Sequence, residues 1–388
     1  MAGLEESVSE PGGGSNGGGS CLPGGGSAGY ARRILFRPGL SMKRLLPLAA
    51  AAAVFAAAVY LYTPRPAPAA QGPLPIPEMQ FNDVKEIAPG VFFRYSSISA
   101  SDPKVVFGGS NHAWVVFKDY VVVVDANFPK EAGDVIAAIK KTTDKPIRYV
   151  LDTHHHGDHA YGNAVWAKEG AKIVAHKNAA RLLLVNGPKQ WEDQAKDRKD
   201  VKESSLKQVD IPFDDRYVLD DGTQRVEFLH FGHSHTAGDA VAYLPKHKIL
   251  CTGDACTNGA FNYMGQSNSA SWIRCLDAMH KLEIDVICPG HGKLARKDLL
   301  MTEKRYFSEL RAAVQKGIDE KKSLEDITAG LNFPWYKEWT GVDVAGPQMN
   351  KDSVKHVYNE LQGKVDHDRL GWAPGLPERR PGAAAGGN

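Results

Sequence analysis

"THHHGDHAYGN", residues 153–163, sets four histidines and an aspartate in a short run directly after the apolar stretch "IRYVLDT" (147–153). The chain has only 14 histidines in 388 residues, so the concentration needs a cause. A histidine-rich tract can be a solvated tail, but this one follows an apolar run that predicts a strand. A strand end holds side chains in fixed directions. In a locally extended segment His154 and His156 point to one side and His155 to the other. Beyond the turn at Gly157, Asp158 and His159 address a neighbouring position. The stretch therefore predicts a metal site whose remaining ligands lie elsewhere, with His155 as a supporting or surface residue.

Three further loops carry suitable side chains. "FGHSHTAGDAVAYLP" (231–245) offers His233 and His235 between two predicted strands, "LCTGDACTNG" (250–259) offers Asp254, and "CPGHGKL" (288–294) offers His291. Each sets a histidine or aspartate beside a glycine after a strand, where binding loops gather in α/β units. A lone histidine is usually structural. Four such loops make a pattern.

Composition narrows the class. Hydrophobic content of 43% and charged content of 24% are ordinary globular values. A net charge of +2 argues against a dedicated nucleic-acid binder. Cys21, Cys251, Cys256, Cys275 and Cys288 form no C-x-x-C pair, which argues against a zinc-thiolate cluster and predicts small buried side chains.

The ends differ from the middle. Residues 1–41 include the Gly/Ser-rich stretch "PGGGSNGGGSCLPGGGSAG" (11–29) and read as a low-complexity extension. From Met42, "MKRLLPLAAAAAVFAAAVYLY" places two positive charges before an apolar run from Leu45 to Tyr62, and an A-x-A pattern follows at Ala67 and Ala69. Residues 42–70 thus predict a signal peptide, with the mature chain starting near Ala70 or Gln71, or an uncleaved membrane anchor. Either exports the remainder to the periplasm or beyond; membrane contact follows only if the segment is kept.

Regular patterning starts near residue 80. "GVFFRY" (90–95), "KVVFG" (104–108), "HAWVVF" (112–117) and "YVVVVDA" (120–126) predict strands, and residues 130–143 an amphipathic helix with Val135, Ile136 and Ile139 on one face. The strand at 147–151 precedes a helix around 159–169 and the strand "KIVAH" (172–176). The charged segment 190–207 predicts an exposed helix or loop. Strands recur at "RYVLDD" (216–221), "RVEFLHF" (225–231), "AVAYLP" (240–245), "KILCTGD" (248–254) and "DVICPG" (285–290), with helices at 271–282 and 297–322. Two strand clusters, each followed by helices, predict two packed β-sheets with helices outside. A helix at 351–363 and a Pro/Gly/Ala-rich tail complete the chain.

The order H-x-H-x-D-H, G-x-x-H-T-x-G-D, G-D and P-G-H-G resembles the metallo-β-lactamase-fold hydrolases over about residues 80–300. The resemblance implies an α+β, four-layer αβ/βα sandwich, here a catalytic domain over 75–300 with a helical C-terminal extension over 301–365 and a disordered tail at 366–388. It implies two Zn2+ ions, one held by His154, His156 and His235, the other by Asp158, His159 and His291, with Asp254 bridging. It further implies that Asp125 orients the metal loop and that His233 lines the pocket or supports a ligand from behind. Imidazole and carboxylate suit zinc and also accept iron or manganese. Two cations sharing a water lower its pKa towards about 7, so the implied reaction is hydrolysis of a small-molecule carbonyl, with Asp158 orienting the nucleophile or managing its proton.

The resemblance also bears on the substrate. Common β-lactamases of the family place cysteine at the position of Asp254 and a carboxylate-gripping lysine at that of Thr257. Aspartate there points to an ester, thioester or lactone. The alternatives are β-lactam hydrolysis, with Lys189 or Arg274 replacing the lysine, and a mononuclear iron enzyme like the persulfide dioxygenases. Asn262, Tyr263, Trp272 and His233 are the candidate pocket residues.

Overall fold

The computed structural model describes residues 72–97, 105–259, 263–340 and 351–366, all within the unit that begins at Gly72. The expected signal or anchor segment at 42–70 lies outside the described residues, as do the residues of the tail from 367 onward. No helix among the described residues is long and apolar enough to cross a membrane.

Val121–Val124 shows how the layers form. This strand, β4, consists of four valines, all nearly inaccessible to solvent. Such a run suits a strand covered on both faces, and alternation sorts its side chains. Val121 and Val123 pack with Trp114 and with Val135, Ile136 and Ile139 of helix α1 (Pro129–Thr142). Val122 and Val124 turn the other way, towards Ala242, Leu244, Ile249, Cys251 and Val286 of a second sheet. That sheet repeats the scheme: Val241, Tyr243, Leu250 and Ile287 face outward onto Trp272 and Leu276 of α7 (Ser269–Met279) and Phe307 and Leu310 of α8 (Leu299–Asp319). Helices, sheet, sheet and helices give the four-layer α+β sandwich.

The first sheet has seven strands in chain order, β1 (Val84–Ala88), β2 (Val91–Arg94), β3 (His112–Val116), β4, β5 (Ile147–Asp152), β6 (Lys172–His176) and β7 (Ile211–Phe213). Its first four strands pair antiparallel and β4 to β7 pair parallel. The second sheet runs β12-β11-β10-β9-β8, from β8 (Arg216–Asp220), β9 (Arg225–Leu229), β10 (Val241–Leu244), β11 (Ile249–Gly253) and β12 (Val286–Pro289). Only β11 and β12 are parallel there. Asp125, Thr153 to His156, Asp254 and His291 therefore all follow the carboxyl ends of parallel strands.

Several expectations are corrected. "KVVFG" is not a strand: from Val105 onward it is a loop, with Ser97 donating to the Val106 carbonyl and Gly109 at φ +72 turning the chain. The single helix expected around 159–169 is two, α2 (Gly157–Ala160) and α3 (Asn163–Lys168). They part at Gly162, where a Cβ would lie 2.2 Å from the Ala126 carbonyl oxygen. The charged segment 190–207 is helix and then loop, as expected, with α5 (Gly187–Asp197) and α6 (Lys199–Lys202) preceded by an unanticipated α4 (Lys177–Val185). Strands β1 and β7 and helices α9 (Leu324–Gly330) and α10 (Pro334–Thr340) were likewise not anticipated. Helix α11 (Lys351–Leu361) falls where expected. Leu331, Phe333, Tyr336, Val354 and Val357 of the C-terminal region share one apolar cluster with α7, α8 and the second sheet.

Candidate metal centre

Asp125 organises the histidine loop. It ends β4 at φ +66, a backbone angle that aspartate tolerates better than most residues. One carboxylate oxygen accepts the Thr153 amide at 2.8 Å and the other accepts His159 Nδ1 at 2.9 Å. The carboxylate thus clamps the start and the end of the loop together. Two glycines bring the other loops to it. A Cβ at Gly253, itself at φ +50, would lie 2.3 Å from Thr153 Oγ1, and one at Gly290 would lie 2.2 Å from Asp254 Oδ1. Only glycine allows approaches this close.

The seven predicted side chains converge. His154, His156 and His235 form one group whose donor atoms lie within 4.8 Å of one another, and Asp158, His159 and His291 form another. Asp254 touches both: Oδ1 is 3.4 Å from His159 Nε2, while Oδ2 is 3.5 Å from His291 Nε2 and 3.7 Å from His235 Nε2. Asp158 Oδ2 lies 3.1 Å from His291 Nε2 and 3.6 Å from His159 Nε2.

The first group tests directly for a cation. His235 Nδ1 faces the Tyr263 carbonyl at 3.0 Å and must carry its proton there, so Nε2 presents a lone pair. His156 Nε2 faces Gln266 Oε1 at 2.8 Å, so its Nδ1 also presents a lone pair. These two lone pairs meet at 3.0 Å, and His154 Nε2 lies 3.1 Å from the same His156 nitrogen. Lone pairs this close repel. A tetrahedral zinc bound at about 2.0–2.1 Å would set its nitrogens roughly 3.3 Å apart. In these tautomers no hydrogen bond joins His156 Nδ1 to His235 Nε2, and the donor set fits a metal ion.

Electrostatics divides the two groups. Burial, joined at His154 and His235 by neighbouring imidazoles, pushes the first three histidines below their ordinary range, His235 to about 3. Burial opposes charge in the second group too, but opposite charges outweigh it. His159 and His291 draw Asp158 down to about 2 and Asp254 well below the carboxylate range. The carboxylates in turn raise His159 well above its usual value and His291 to about 9.

Other expectations fare differently. His155 is not a surface residue; it is 1% exposed. Asn262 lies outside the described residues. Trp272 belongs to the core, its indole donating to the Ala255 carbonyl at 2.8 Å. Tyr263 is exposed and holds His235 through its carbonyl, and His233 donates to the Gln266 carbonyl at 2.8 Å. Thr257 is buried against Glu303 of α8, which accepts its amide at 3.1 Å. Lys189 pairs with Asp193, and Arg274 donates to the Ala270 carbonyl, each within its own helix. A cavity of about 890 Å³ bordered by Asn82, Arg94, Glu131 and Arg198 is lined by none of the seven.

Three residues that sequence reasoning missed support the centre. Asn111 donates to the Pro289 and Gly292 carbonyls at 2.9 and 2.8 Å, fixing the turn that carries His291. Gln266 holds His156. Glu303 stands behind the Asp254 loop, where burial raises its carboxyl to about 8.

A family model described as the metallo-beta-lactamase superfamily matches residues 106–291. A metallo-beta-lactamase type 2 of Bacillus sp. (strain 170) is 26% identical over 187 residues, 47% of this chain and 66% of that protein. The chain thus spans slightly less than two thirds of that relative's length. A hydroxyacylglutathione hydrolase of Mesorhizobium japonicum is 30% identical over 132 residues, 34% of this chain and 41% of the relative. Among solved structures, a metallo-beta-lactamase from Pontibacter korlensis superposes with a TM-score of 0.49 at 21% identity, covering 58% of this chain and 98% of that one.

Proposed function

Because the chain belongs, through residues 106–291, to the metallo-beta-lactamase superfamily, we propose that it is a binuclear, zinc-dependent hydrolase of an ester, thioester or lactone. His154, His156 and His235 hold one ion, Asp158, His159 and His291 the other, and Asp254 serves both. The observation that carries this is the contact of Asp254 with both donor groups. When bound, two divalent cations lower the pKa of water towards about 7 and polarise a carbonyl oxygen.

The chain's own residues do the rest. Asp158 has a side chain 18% exposed, against 0% for His159 and 4% for His291, so it is the group that meets the nucleophile. It directs Oδ2 to the two histidines and orients the nucleophile or manages its proton. Asp125 and Gln266 keep the imidazoles in the tautomers that face the ions. Asn111 keeps His291 in reach.

Thr257 favours a carbonyl substrate that carries no anchoring carboxylate, since it is turned into the interior against Glu303. The name of the Mesorhizobium relative supports a thioester. The names of the Bacillus relatives support the second reading, β-lactam hydrolysis. Steady-state kinetics of one zinc-loaded sample on thioesters, lactones and β-lactams separates them. Faster turnover of a thioester or lactone is expected, and a β-lactam that outruns every ester and lactone tenfold in kcat/KM overturns the substrate assignment. Elemental analysis is expected to give two ions per chain; a single ion of iron would favour the oxidoreductase alternative. Export through 42–70 belongs to the same proposal, with amino-terminal sequencing of exported protein as its test.

A further inference from the structure

Residues 263–268, which lead into α7, orient the first ligand group without contributing a ligand to it. The Tyr263 carbonyl accepts from His235 Nδ1, and Gln266 accepts from His156 through its side chain and from His233 through its carbonyl. Imidazole direction at the centre is therefore only as well defined as this loop. Met264 anchors it in the core and Arg311 of α8 donates to the Ser269 hydroxyl, and two further partners flank it. On one side the Asn268 amide donates to the Ser234 carbonyl at 3.1 Å. On the other lies α11.

Three residues of α11 meet the loop in order. Ser353 Oγ accepts the Met264 amide at 3.1 Å, His356 Nε2 donates to the Ser267 carbonyl at 2.9 Å, and Glu360 accepts the Ser269 amide at 3.0 Å and the Ser269 hydroxyl. Positions 353, 356 and 360 are spaced by three and four, so they form one stripe along the helix. Val354 and Val357 on the same helix are fully buried in the cluster with α8. The stripe is thus fixed to the core on one side and to the loop on the other. The second group has its own supports, Asp125 behind His159 and Asn111 behind the His291 turn.

We propose that Ser353, His356 and Glu360 of α11 are positioning residues for the first metal ion, acting through the 263–269 loop on His156 and His235. The inference rests on the binuclear reading above and adds a selective effect: loosening the stripe weakens the first site and spares the second. A general structural role for α11 would weaken both.

The test is a cobalt titration of the full chain, followed by visible absorption and by competition with a chelator. Wild-type protein is compared with Ser353→Ala/His356→Leu and with His356→Gln, whose amide can still donate to Ser267. The double variant is expected to lose about tenfold in affinity at the first site, at the low end for groups that orient ligands, with the second site unchanged within about twofold. His356→Gln is expected to recover most of the loss. Should the double variant not fold, His356→Leu alone makes the same comparison. Equal affinities at both sites in wild type and variant overturn the inference, as does a parallel loss at both sites that follows a fall in melting temperature. Wild-type protein that takes up no cobalt overturns the binuclear reading, and this inference with it.

Discussion

The two ligand groups meet at Asp254 but stand on different foundations. His154, His156 and His235 are neutral imidazoles, and the outer nitrogens of His156 and His235 rest on the neutral acceptors Gln266 and Tyr263. Asp158, His159 and His291 set a carboxylate among two imidazoles, and His159 is backed by the Asp125 carboxylate. In a low-dielectric interior these carboxylates attract a divalent cation strongly. The neutral group has no comparable attraction and depends on where its rings point. One group should fail when orientation is lost, the other when its charges are altered.

Removing the shared residue erases the distinction. Asp254→Ala should cost both sites at once, with kcat/KM falling on the order of a thousandfold or more and metal content falling at both sites; kinetics and elemental analysis report it. Substantial activity with two ions still bound would show that the groups do not depend on a common carboxylate. Asp125→Asn sharpens the contrast. Asparagine tolerates the left-handed backbone but removes the charge behind His159. Chelator competition should show the second site weakened about 10- to 100-fold and the first changed less than about threefold.

Glu303 tests the charge balance from behind. Its carboxyl is raised from 4.5 to about 8 by burial. An acid raised in the folded state contributes stability fully below about pH 4.5 and loses it as pH climbs through about 8. Glu303→Gln mimics the protonated form, so it should melt about 5 °C higher than wild type at pH 8.5 and close to it at pH 5. A constant difference at both pH values would mean that Glu303 does not titrate in this range. The smallest effect is expected at Lys189, whose pair with Asp193 is on an exposed helix. Lys189→Ala should change kcat/KM for a β-lactam by less than about twofold; a larger loss would make it the missing carboxylate anchor.

Legibility in the sequence followed the same division between near and far. The run Val121–Val124 announced itself because both of its faces are buried, and "AVAYLP" and "KILCTGD" did so for the same reason. Strand β1, "VKEIA", hid behind its exposed charges at the sheet edge, and β7 has only three residues. Four donors were visible because they share one loop, Asp254 and His291 because they adjoin glycines, and His235 because it stands in a loop with glycines three residues to either side. Asn111, Gln266 and Glu303 gave no signal. Their partners lie 178, 110 and 46 residues away, at Pro289, His156 and Thr257, and a lone polar residue carries no mark of so distant a contact.

The buried cysteines decide which ions can serve as spectroscopic probes. Cys251 and Cys288 sit opposite each other on the parallel strands β11 and β12, which end in Asp254 and the His291 turn, and all four described cysteines are free and buried. Burial pushes the thiols of Cys256, Cys275 and Cys288 upward, and a thiol that keeps its proton is a poor ligand. Soft cations such as cadmium, which ordinarily seek sulfur, should therefore enter the nitrogen and oxygen donors and leave these sulfurs alone. With Cys21 replaced by serine, cadmium resonances should report imidazole and carboxylate surroundings alone, giving each site its own signal.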